Sequence, residues 1–466
     1  MSDREVHYLD LLEVGRKIQA REMTSMAVTA ALLARIEAVD SRLKSYVTVM
    51  ADTAMASAKK ADDELDGAVV RGPMHGVPLA VKDLFWTVDY PTTHGMPIRR
   101  DFMATTDATV ITRLREAGAV ILGKLQQTEG AFADHCLTGV APANPWDAEL
   151  WSGVSSSGPG VATAAGLAFG TIGTDTGGSI RFPCAANGAT GVKPTWGRVS
   201  RFGACELAAS LDHIGPIARS AADAAAILAA IAGADRHDPT AASLHVPDYL
   251  NIMTQGFGGL RIGVDTRWAF GDVQGEVCDV LREVLTIAAE QGAHIQEIRF
   301  PETRQMIADW PSLCSIEAAV AHEASFPARR NEYSTNLAGL IDLGRSLSAT
   351  DYQKLLLHRA DFTGRLRRLF QSVDLVVAPT LARVVPTAAQ WATICKDPAE
   401  LSDMLRYTAP FNMSGNPTIT LPGGVAGNGA PITFQFIAPD FREDLLFRAG
   451  WGYQNATNWH RRHPSL

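Results

Sequence analysis

The stretch that decides most about the fold of this chain reads Gly173-Thr174-Asp175-Thr176-Gly177-Gly178-Ser179-Ile180-Arg181-Phe182-Pro183. In it, a serine follows two adjacent glycines. A nucleophilic serine needs an exposed hydroxyl on a tight turn, with backbone N–H groups directed at the developing oxyanion. Gly177 and Gly178 permit such a turn, because glycine adopts backbone conformations that other residues avoid. The segment therefore favours an acyl-transfer site.

A second segment of small residues lies upstream and reads Gly153-Val154-Ser155-Ser156-Ser157-Gly158-Pro159-Gly160. The run 161–168 that follows it predicts a tightly packed helix. A flexible Gly/Ser linker is one alternative, but a linker would not be interrupted by an apolar helix. A phosphate-binding loop is another, but the Gly-Lys-Ser/Thr ending of a Walker motif is absent. A G-x-G-x-x-G pattern after a clear strand is absent as well.

Helix and strand patterns alternate along the chain. Residues 76–83 read as a short buried strand with a charged end, and 118–123 as another after a helix over 110–117. The same succession recurs near 160–174 and at 274–300. Further strand patterns stand at 259–264, 373–379 and 432–437, and further helix patterns at 303–325, 350–372 and from residue 443 onward. This alternation favours an α/β sandwich with helices on both faces of a sheet.

No linker, internal repeat or low-complexity tract divides the sequence, so we expect a single domain over residues 1–466. Within it we expect a helical N-terminal segment (1–66), a catalytic core (70–240) and a variable, substrate-shaping helical region (300–370). Apolar residues at helical spacing from residue 7 onward predict the N-terminal helices.

Composition and charge exclude several classes of partner and cofactor. The net charge of −8 argues against nucleic acid or an anionic membrane as a partner. The six cysteines show no C-x-x-C spacing and no accompanying histidine cluster, so neither a zinc site nor a redox motif is expected. The first residues lack a signal-peptide pattern, and no apolar stretch approaches the roughly 20 residues of a membrane span. We therefore expect a cytoplasmic protein without a metal or organic cofactor.

The motifs together resemble those of a known family. The stretch 173–183 is similar, almost residue for residue, to the signature of the amidase signature family, and Ser155 precedes Ser179 by the 24 residues that separate the family's two serines. Residues 76–83 resemble the strand that ends in the family's catalytic lysine. Other matching segments extend the resemblance over nearly the whole chain, at 118–129, 144–147, 191–200, 211–216 and 411–417.

The resemblance implies a fold and a catalytic triad. The fold would be the amidase signature fold, a mixed twisted β-sheet core with helices on both faces. Ser179 would be the nucleophile. Ser155 would lie on a cis peptide bond and relay a proton between Ser179 and Lys82, the base. A free lysine has a pKa of about 10.4, so Lys82 must be buried to become a neutral amine near pH 7.

The resemblance also implies the residues that surround the triad. The oxyanion hole would consist of the backbone N–H groups of Thr176, Gly177, Gly178 and Ser179. Three side chains are expected to support the site: Ser156, through a hydrogen bond to Lys82 or to the loop backbone, and Asp175 and Arg181, by bracing the glycine turn.

The substrate is expected to lie against Gly130, Ala131 and Phe132. Together with Trp310 and Trp391, these residues predict a mostly apolar pocket. The candidate histidines are expected to pack rather than to line this pocket: His94, His135 and His213. A Ser-His-Asp enzyme of the G-x-S-x-G type is not indicated, because Arg181 stands two residues after Ser179.

One departure from the family pattern concerns the serine loop. The family sequence is usually Gly-Gly-Ser-Ser-Gly-Gly, whereas this chain has Val154 at the second position, Ser157 at the fifth and then Pro159. Both triad serines are retained, so the chemistry should be retained too. The shape of the pocket next to this loop should differ, so the substrate cannot be carried over from another member.

The expected function is hydrolysis of C–N bonds in small amides, anilides or carbamates, through an acyl-enzyme on Ser179. The expected partner is a small-molecule substrate. Neither nucleic acid nor a membrane is expected as a partner, and whether the chain forms a homodimer is left open. Three alternatives remain: the A subunit of a tRNA-dependent glutamine amidotransferase, a urethanase or esterase of the same family, and a catalytically silent binding protein on this fold.

Overall fold

The computed structural model describes residues 6–466, and in this part of the chain eleven strands form one sheet. The strands, in chain order, are β1 (Tyr46–Val49), β2 (Pro78–Lys82), β3 (Val120–Leu125), β4 (Gly170–Asp175), β5 (Thr190–Lys193), β6 (His213–Ala218), β7 (Arg261–Val264), β8 (His294–Glu297), β9 (Leu375–Pro379), β10 (Thr418–Val425) and β11 (Pro431–Ile437).

Seventeen α-helices accompany the sheet within residues 6–466. They are α1 (Leu11–Gln19), α2 (Ser25–Leu43), α3 (Ala51–Asp66), α4 (Thr109–Glu116), α5 (Ser157–Ala164), α6 (Arg181–Asn187), α7 (Ala221–Ile231), α8 (Tyr249–Ile252), α9 (Thr266–Phe270), α10 (Gly275–Glu290), α11 (Arg304–Ala321), α12 (Thr335–Ser346), α13 (Ala349–Leu369), α14 (Ala388–Ile394), α15 (Pro398–Leu405), α16 (Ala409–Ser414) and α17 (Glu443–Ala456). None of the helices in these residues is both long enough and apolar enough to cross a membrane.

The sheet is mixed, with the order β1-β3-β2-β4-β6-β5-β10-β11-β9-β7-β8. Strand β2 lies parallel to both of its neighbours, β3 and β4. The middle of the sheet, from β4 to β9, is antiparallel, and β7 runs parallel to β8 and β9 at the other end. The predicted α/β class, with helices on both faces of a mixed sheet, is confirmed.

The parallel arrangement of β2 and β4 positions the candidate site. All five residues of β2 and all six of β4 are buried, as expected for strands covered on both faces. Because the carboxyl ends of parallel strands meet at the same edge, the residues that end β2 and β4 lie close together. Helix α5 follows the serine loop and packs on both strands, which brings the loop to the same edge.

The N-terminal segment differs from its prediction at one place. Residues Tyr46–Val49 form β1 instead of continuing a helix, and β1 pairs antiparallel with β3. Valine and threonine in this stretch favour a strand, but four residues are too few to show a period of two against two flanking helices. Residues 1–5 of the predicted helical segment, which also bear on the signal-peptide question, lie outside the described part of the chain.

Candidate active site

Lys82 ends β2 with its side chain fully buried. Its Nζ donates hydrogen bonds to Ser155 Oγ at 2.7 Å and to Thr174 Oγ1 at 2.8 Å. Burial lowers the pKa of Lys82 to about 7, although the carboxylates of Asp212 and Asp175 act in the opposite direction. A substantial fraction of this amine is therefore uncharged near neutral pH and able to accept a proton.

The serine loop holds Ser155 against this amine. The peptide bond between Val154 and Ser155 is cis, and Ser155 is 1% exposed. Gly153 has a φ of +83°, and a Cβ atom there would lie 2.5 Å from Pro183 Cα, so only glycine fits. The Ser156 hydroxyl donates to the backbone oxygen of Thr174 at 3.1 Å and accepts from its N–H at 3.3 Å. The Ser156 hydroxyl therefore binds the backbone of β4, and within the described residues it has no hydrogen bond to either expected partner, Lys82 or the loop backbone.

Ser179 lies on the turn between β4 and α6 and is partly exposed. Its backbone oxygen accepts a hydrogen bond from Ser156 N at 3.3 Å, so the two serine segments are in direct contact. In the described residues no hydrogen bond joins the hydroxyls of Ser155 and Ser179. The structure thus brings Lys82, Ser155 and Ser179 to one place and forms the first of the two links in the expected relay.

The two glycines before Ser179 are enclosed by aromatic rings. A Cβ atom at Gly177 would overlap the Trp310 ring, and Gly178 has a φ of +142°. Trp310 Nε1 donates to Thr176 O at 2.8 Å, which fixes the start of the turn. Among the described residues, the N–H groups of Thr176, Gly177, Gly178 and Ser179 have no hydrogen-bond acceptor within the protein. They are available donors for an oxyanion.

A buried ion pair braces the turn from behind. Arg181 Nη2 donates to Asp175 Oδ1 at 2.8 Å, and Arg181 Nε donates to Oδ2 at 3.0 Å. The same Oδ2 accepts the backbone N–H of Ile180 and of Arg181. Burial alone would raise the pKa of Asp175, but the Arg181 guanidinium outweighs it and the pKa is lowered. The geometry agrees with the bracing role expected for both residues.

Replacing Asp175 by asparagine is expected to lower the free energy of unfolding by about 3–5 kcal/mol, because it leaves the Arg181 guanidinium buried without its countercharge. Urea unfolding followed by circular dichroism measures the change. Asp279→Asn is the matched control, since the pair of Asp279 with Arg282 is exposed and should leave the unfolding midpoint unchanged. Equal midpoints for the two variants would contradict the bracing role.

The structure places three further residues at the site, and the sequence predicted no role for any of them. Thr174 accepts from Lys82, and Asn412 donates to the backbone and side-chain oxygens of Asp175 at 2.9 Å each. Asp212 Oδ1 accepts from Thr176 Oγ1 at 2.6 Å, and burial raises the pKa of Asp212 to about 6. Asn412 and Asp212 stand inside family-like motifs, but a motif does not show which atoms meet, since that depends on contacts between distant segments.

Two neighbouring cavities open beside the site. The first, here called the arginine cavity, has a volume of about 560 Å³ and is lined by residues that include His94, Arg99, Arg201, His322 and Tyr333. The second, here called the threonine cavity, is narrow and is lined by residues that include Ala131, Thr174, Thr176, Arg201 and Asp212. The two share Arg201, Ala204, Cys205 and Glu206 as lining residues.

Within the described residues, one of the three expected substrate-binding residues lines a cavity. Ala131 lines the threonine cavity. Gly130 donates its N–H to His94 O at 3.0 Å, and a Cβ atom added to it would lie 3.6 Å from His322 Nε2. Phe132 is half-buried against the apolar core and, within the described residues, lines neither cavity.

The lining of the arginine cavity combines apolar with charged side chains, and neither Trp310 nor Trp391 belongs to it. Trp391 stacks on Trp151 at a ring separation of 4.3 Å, and Trp310 covers Gly177. His94, which was expected to pack, lines the cavity. His213 does not line it, and its Nδ1 forms a hydrogen bond with Leu211 O at 2.6 Å. The arginines of this lining come from segments far apart in sequence.

Comparison with known proteins identifies the family. The Amidase family model matches residues 27–447. AmiD of Mycobacterium tuberculosis, which is named as an amidase, is 46% identical over 467 residues, covering 100% of this chain and 98% of AmiD. The glutamyl-tRNA(Gln) amidotransferase of a Roseiflexus species has an A subunit that is 36% identical over 487 residues, with 99% of each chain covered.

Solved structures agree with this result. Native peptide amidase from Stenotrophomonas maltophilia superposes with a TM-score of 0.83 at 28% identity, covering 98% of each chain. The likeness in fold, in family model and in sequence extends over essentially the whole described chain. The protein is therefore an amide-hydrolysing enzyme that belongs to the amidase signature family.

Proposed function

We propose that this enzyme cleaves the C–N bond of small amides, anilides or carbamates through an acyl-enzyme on Ser179. One observation carries the proposal: a fully buried Lys82 amine, with a pKa of about 7, donates a hydrogen bond to Ser155 beside the Ser179 turn. A buried amine of this kind is a suitable general base at neutral pH.

In the first half of the reaction, Lys82 takes a proton from Ser155 as Ser155 takes one from the Ser179 hydroxyl. The Ser179 oxygen attacks the carbonyl carbon of the amide. The resulting oxyanion accepts hydrogen bonds from N–H groups among those of Thr176, Gly177, Gly178 and Ser179, which have no other acceptor within the described part of the protein. Since these donors are held in place by the packed turn, they need little reorganisation when charge develops.

In the second half, the tetrahedral intermediate collapses and the C–N bond breaks. The leaving amine takes the proton back through Ser155, and Ser179 is left as an acyl ester. A water molecule then gives its proton along the same path and attacks the ester. Collapse of this second intermediate releases the acid and restores the Ser179 hydroxyl and the neutral amine of Lys82.

The direct test measures amine release from a panel of 4-nitroanilides, aryl amides and aryl carbamates. Acid quenching during turnover, followed by mass spectrometry of the Ser179 peptide, is expected to show an acyl adduct. The Ser179→Ala protein serves as the control that cannot form the adduct. Turnover without any adduct, and equal turnover by the alanine variant, would both argue against the mechanism.

The pH profile provides a separate prediction. Lys82 must be uncharged to accept a proton, so kcat/KM should rise with pH, pass half of its maximum near pH 7 and level off above this. The Asp212 charge raises the pKa of Lys82, so Asp212→Asn is expected to move the midpoint of the rise to lower pH. Initial rates between pH 5.5 and 9 measure both midpoints. A flat profile in the parent, or a midpoint that moves upward in the variant, would contradict the role of Lys82.

A second candidate function is that of the A subunit in a tRNA-dependent glutamine amidotransferase. The 36% identity with such a protein over the whole chain favours it. An activity assay of the isolated chain distinguishes the two functions, because the first proposal requires turnover of small amides without a partner protein. Matched ester and amide pairs in the same assay show whether the enzyme is chiefly an esterase, and the aryl carbamates of the panel show whether it is a urethanase.

A further inference from the structure

The lining of the arginine cavity has an excess of positive charge. Arg99 is partly buried, its guanidinium lies 4.2 Å from the Phe102 ring centroid, and within residues 6–466 its side chain forms no hydrogen bond or ion pair. Arg201 donates only one side-chain hydrogen bond there, from Nη2 to Thr240 Oγ1 at 2.8 Å, and its buried Nε and Nη1 have no partner. Nε of Arg99 and Nε and Nη1 of Arg201 are enclosed by the protein, whereas Nη1 and Nη2 of Arg99 are neither enclosed nor bonded within the described residues. These two nitrogens carry most of the N–H donors of the Arg99 guanidinium and are available to a ligand.

The other charged groups of the lining do not remove this excess. Arg329 is neutralised by Glu332, to which it donates two hydrogen bonds at 2.6 Å. Glu206 is the remaining acidic residue of the lining and is exposed. Its one negative charge is smaller than the combined positive charge of Arg99 and Arg201, so the lining keeps a net positive charge.

Two histidines in the wall of the cavity carry polar atoms that have no hydrogen-bond partner in the described residues. His94 and His322 stack with nearly parallel rings at a centroid distance of 6.4 Å. They are 2% and 6% exposed, and Nε2 of each has no hydrogen-bond partner in the described residues. Burial lowers the pKa of both, that of His322 to about 4, so both are neutral at pH 7. As neutral rings, they add polar atoms to the wall without adding to its charge.

The arginine cavity adjoins the threonine cavity, which reaches residues of the catalytic centre. Arg201 lines both cavities, and the threonine cavity reaches Thr174, the hydrogen-bond partner of Lys82. Gly130 and Ala131 connect the two, since the Gly130 N–H donates to His94 O and Ala131 lines the threonine cavity. A group bound at the arginines can therefore belong to the molecule whose amide bond is cleaved.

We propose that the arginine cavity binds a carboxylate of the substrate, so that the enzyme prefers amides with a free carboxylate over neutral amides of the same shape. This inference rests on the proposed function and narrows its substrate class. A carboxylate supplies two acceptor oxygens to the Nη1 and Nη2 donors of Arg99, and charge-assisted hydrogen bonds of this kind are among the strongest in proteins.

The test compares two 4-nitroanilides that differ only at the far end of the acyl chain. The glutaryl compound ends in a carboxylate, and the pentanoyl compound ends in a methyl group. The parent is expected to favour the glutaryl compound in kcat/KM by about 10- to 100-fold, the range of a charge-assisted contact. A second pair, pentanoyl 4-aminobenzoate and pentanoyl anilide, places the carboxylate on the leaving amine. A preference in either pair supports the proposal, and no preference in both overturns it.

Arg99→Met tests whether this arginine is the source of the preference. In this variant the ratio of the two kcat/KM values should fall towards one, mainly because the KM of the carboxylate compound rises. Arg100→Met is the matched control, because Arg100 is the adjacent arginine and is exposed outside the cavity lining. Its selectivity should equal that of the parent. An equal loss in both variants would show a general charge effect and overturn the assignment to the cavity.

Calorimetric titration of glutarate into the Ser179→Ala protein separates this inference from the proposed function. Binding that Arg99→Met removes supports the cavity even if no nitroanilide is cleaved, in which case only the proposed reaction fails. Turnover of neutral amides without glutarate binding and without selectivity would leave the proposed reaction standing and overturn the carboxylate site.

Discussion

Replacing Ser179 by alanine is expected to lower kcat for amide hydrolysis by about 10⁴-fold or more, the loss typical of a removed nucleophile. The substitution deletes one oxygen from a partly exposed side chain. The contacts that shape the turn come from other atoms, namely the Trp310 ring, the Asp175–Arg181 pair and the Ser156 N–H. The fold and the N–H donors of the turn should therefore persist while the chemistry stops.

Amine release by the purified variant measures this loss, and the urea unfolding midpoint shows whether the fold is intact. Ser157→Ala is a control within the serine loop, because the Ser157 hydroxyl contacts His135 Nε2 at 2.9 Å rather than the lysine. It should reduce kcat far less than Ser179→Ala does. A Ser179→Ala protein that keeps more than about a tenth of the parent kcat would refute the nucleophile.

Lys82→Met is expected to lower kcat by about 10³- to 10⁴-fold, near the upper range for loss of a general base. Methionine is unbranched like lysine and suits the buried end of β2, but it offers no amine to Ser155. The substitution also removes the cost of burying an amine. The unfolding midpoint should therefore fall little, even though the Thr174 hydroxyl loses its donor.

Lys193→Met is the matched control, because Lys193 is likewise fully buried at the end of a strand. Its Nζ donates to the carbonyl oxygens of Asn416 and Pro194, at 2.6 and 3.2 Å, and to no serine. Its replacement should lower the free energy of unfolding, and it should lower kcat far less than Lys82→Met does. Equal losses of kcat in the two variants would mean that Lys82 acts only through the fold.

Local patterns predicted the elements that carry the site. The apolar run before Lys82 is β2, the run that includes Val120 is β3, and the helix expected over 110–117 is α4. These predictions hold because strands buried on both faces need continuous apolar stretches, which are visible in one sequence. Strand β1 was missed because it is short and gains its stability from pairing with β3 at the sheet edge.

The relative positions of the site residues depend on contacts between distant segments. Thr174 meets Lys82 because β2 and β4 are parallel neighbours, and Asn412 meets Asp175 although 237 residues separate them. The arginine cavity combines Arg99, Arg201 and His322 from three separate stretches. None of these encounters has a local signal, so the sequence did not indicate the arginines of this cavity.

The sequence by itself determined the family, the α/β class and the small set of chemically active residues around Ser155 and Ser179, because glycine turns, paired serines and buried strands leave local patterns. Only the tertiary structure decided which atoms meet. It excludes water from Lys82 and so lowers the pKa of its amine, and it leaves Arg99 without a countercharge at the wall of a cavity. Burial and charge balance are sums over many distant groups, and for this reason they appear only when the chain is folded.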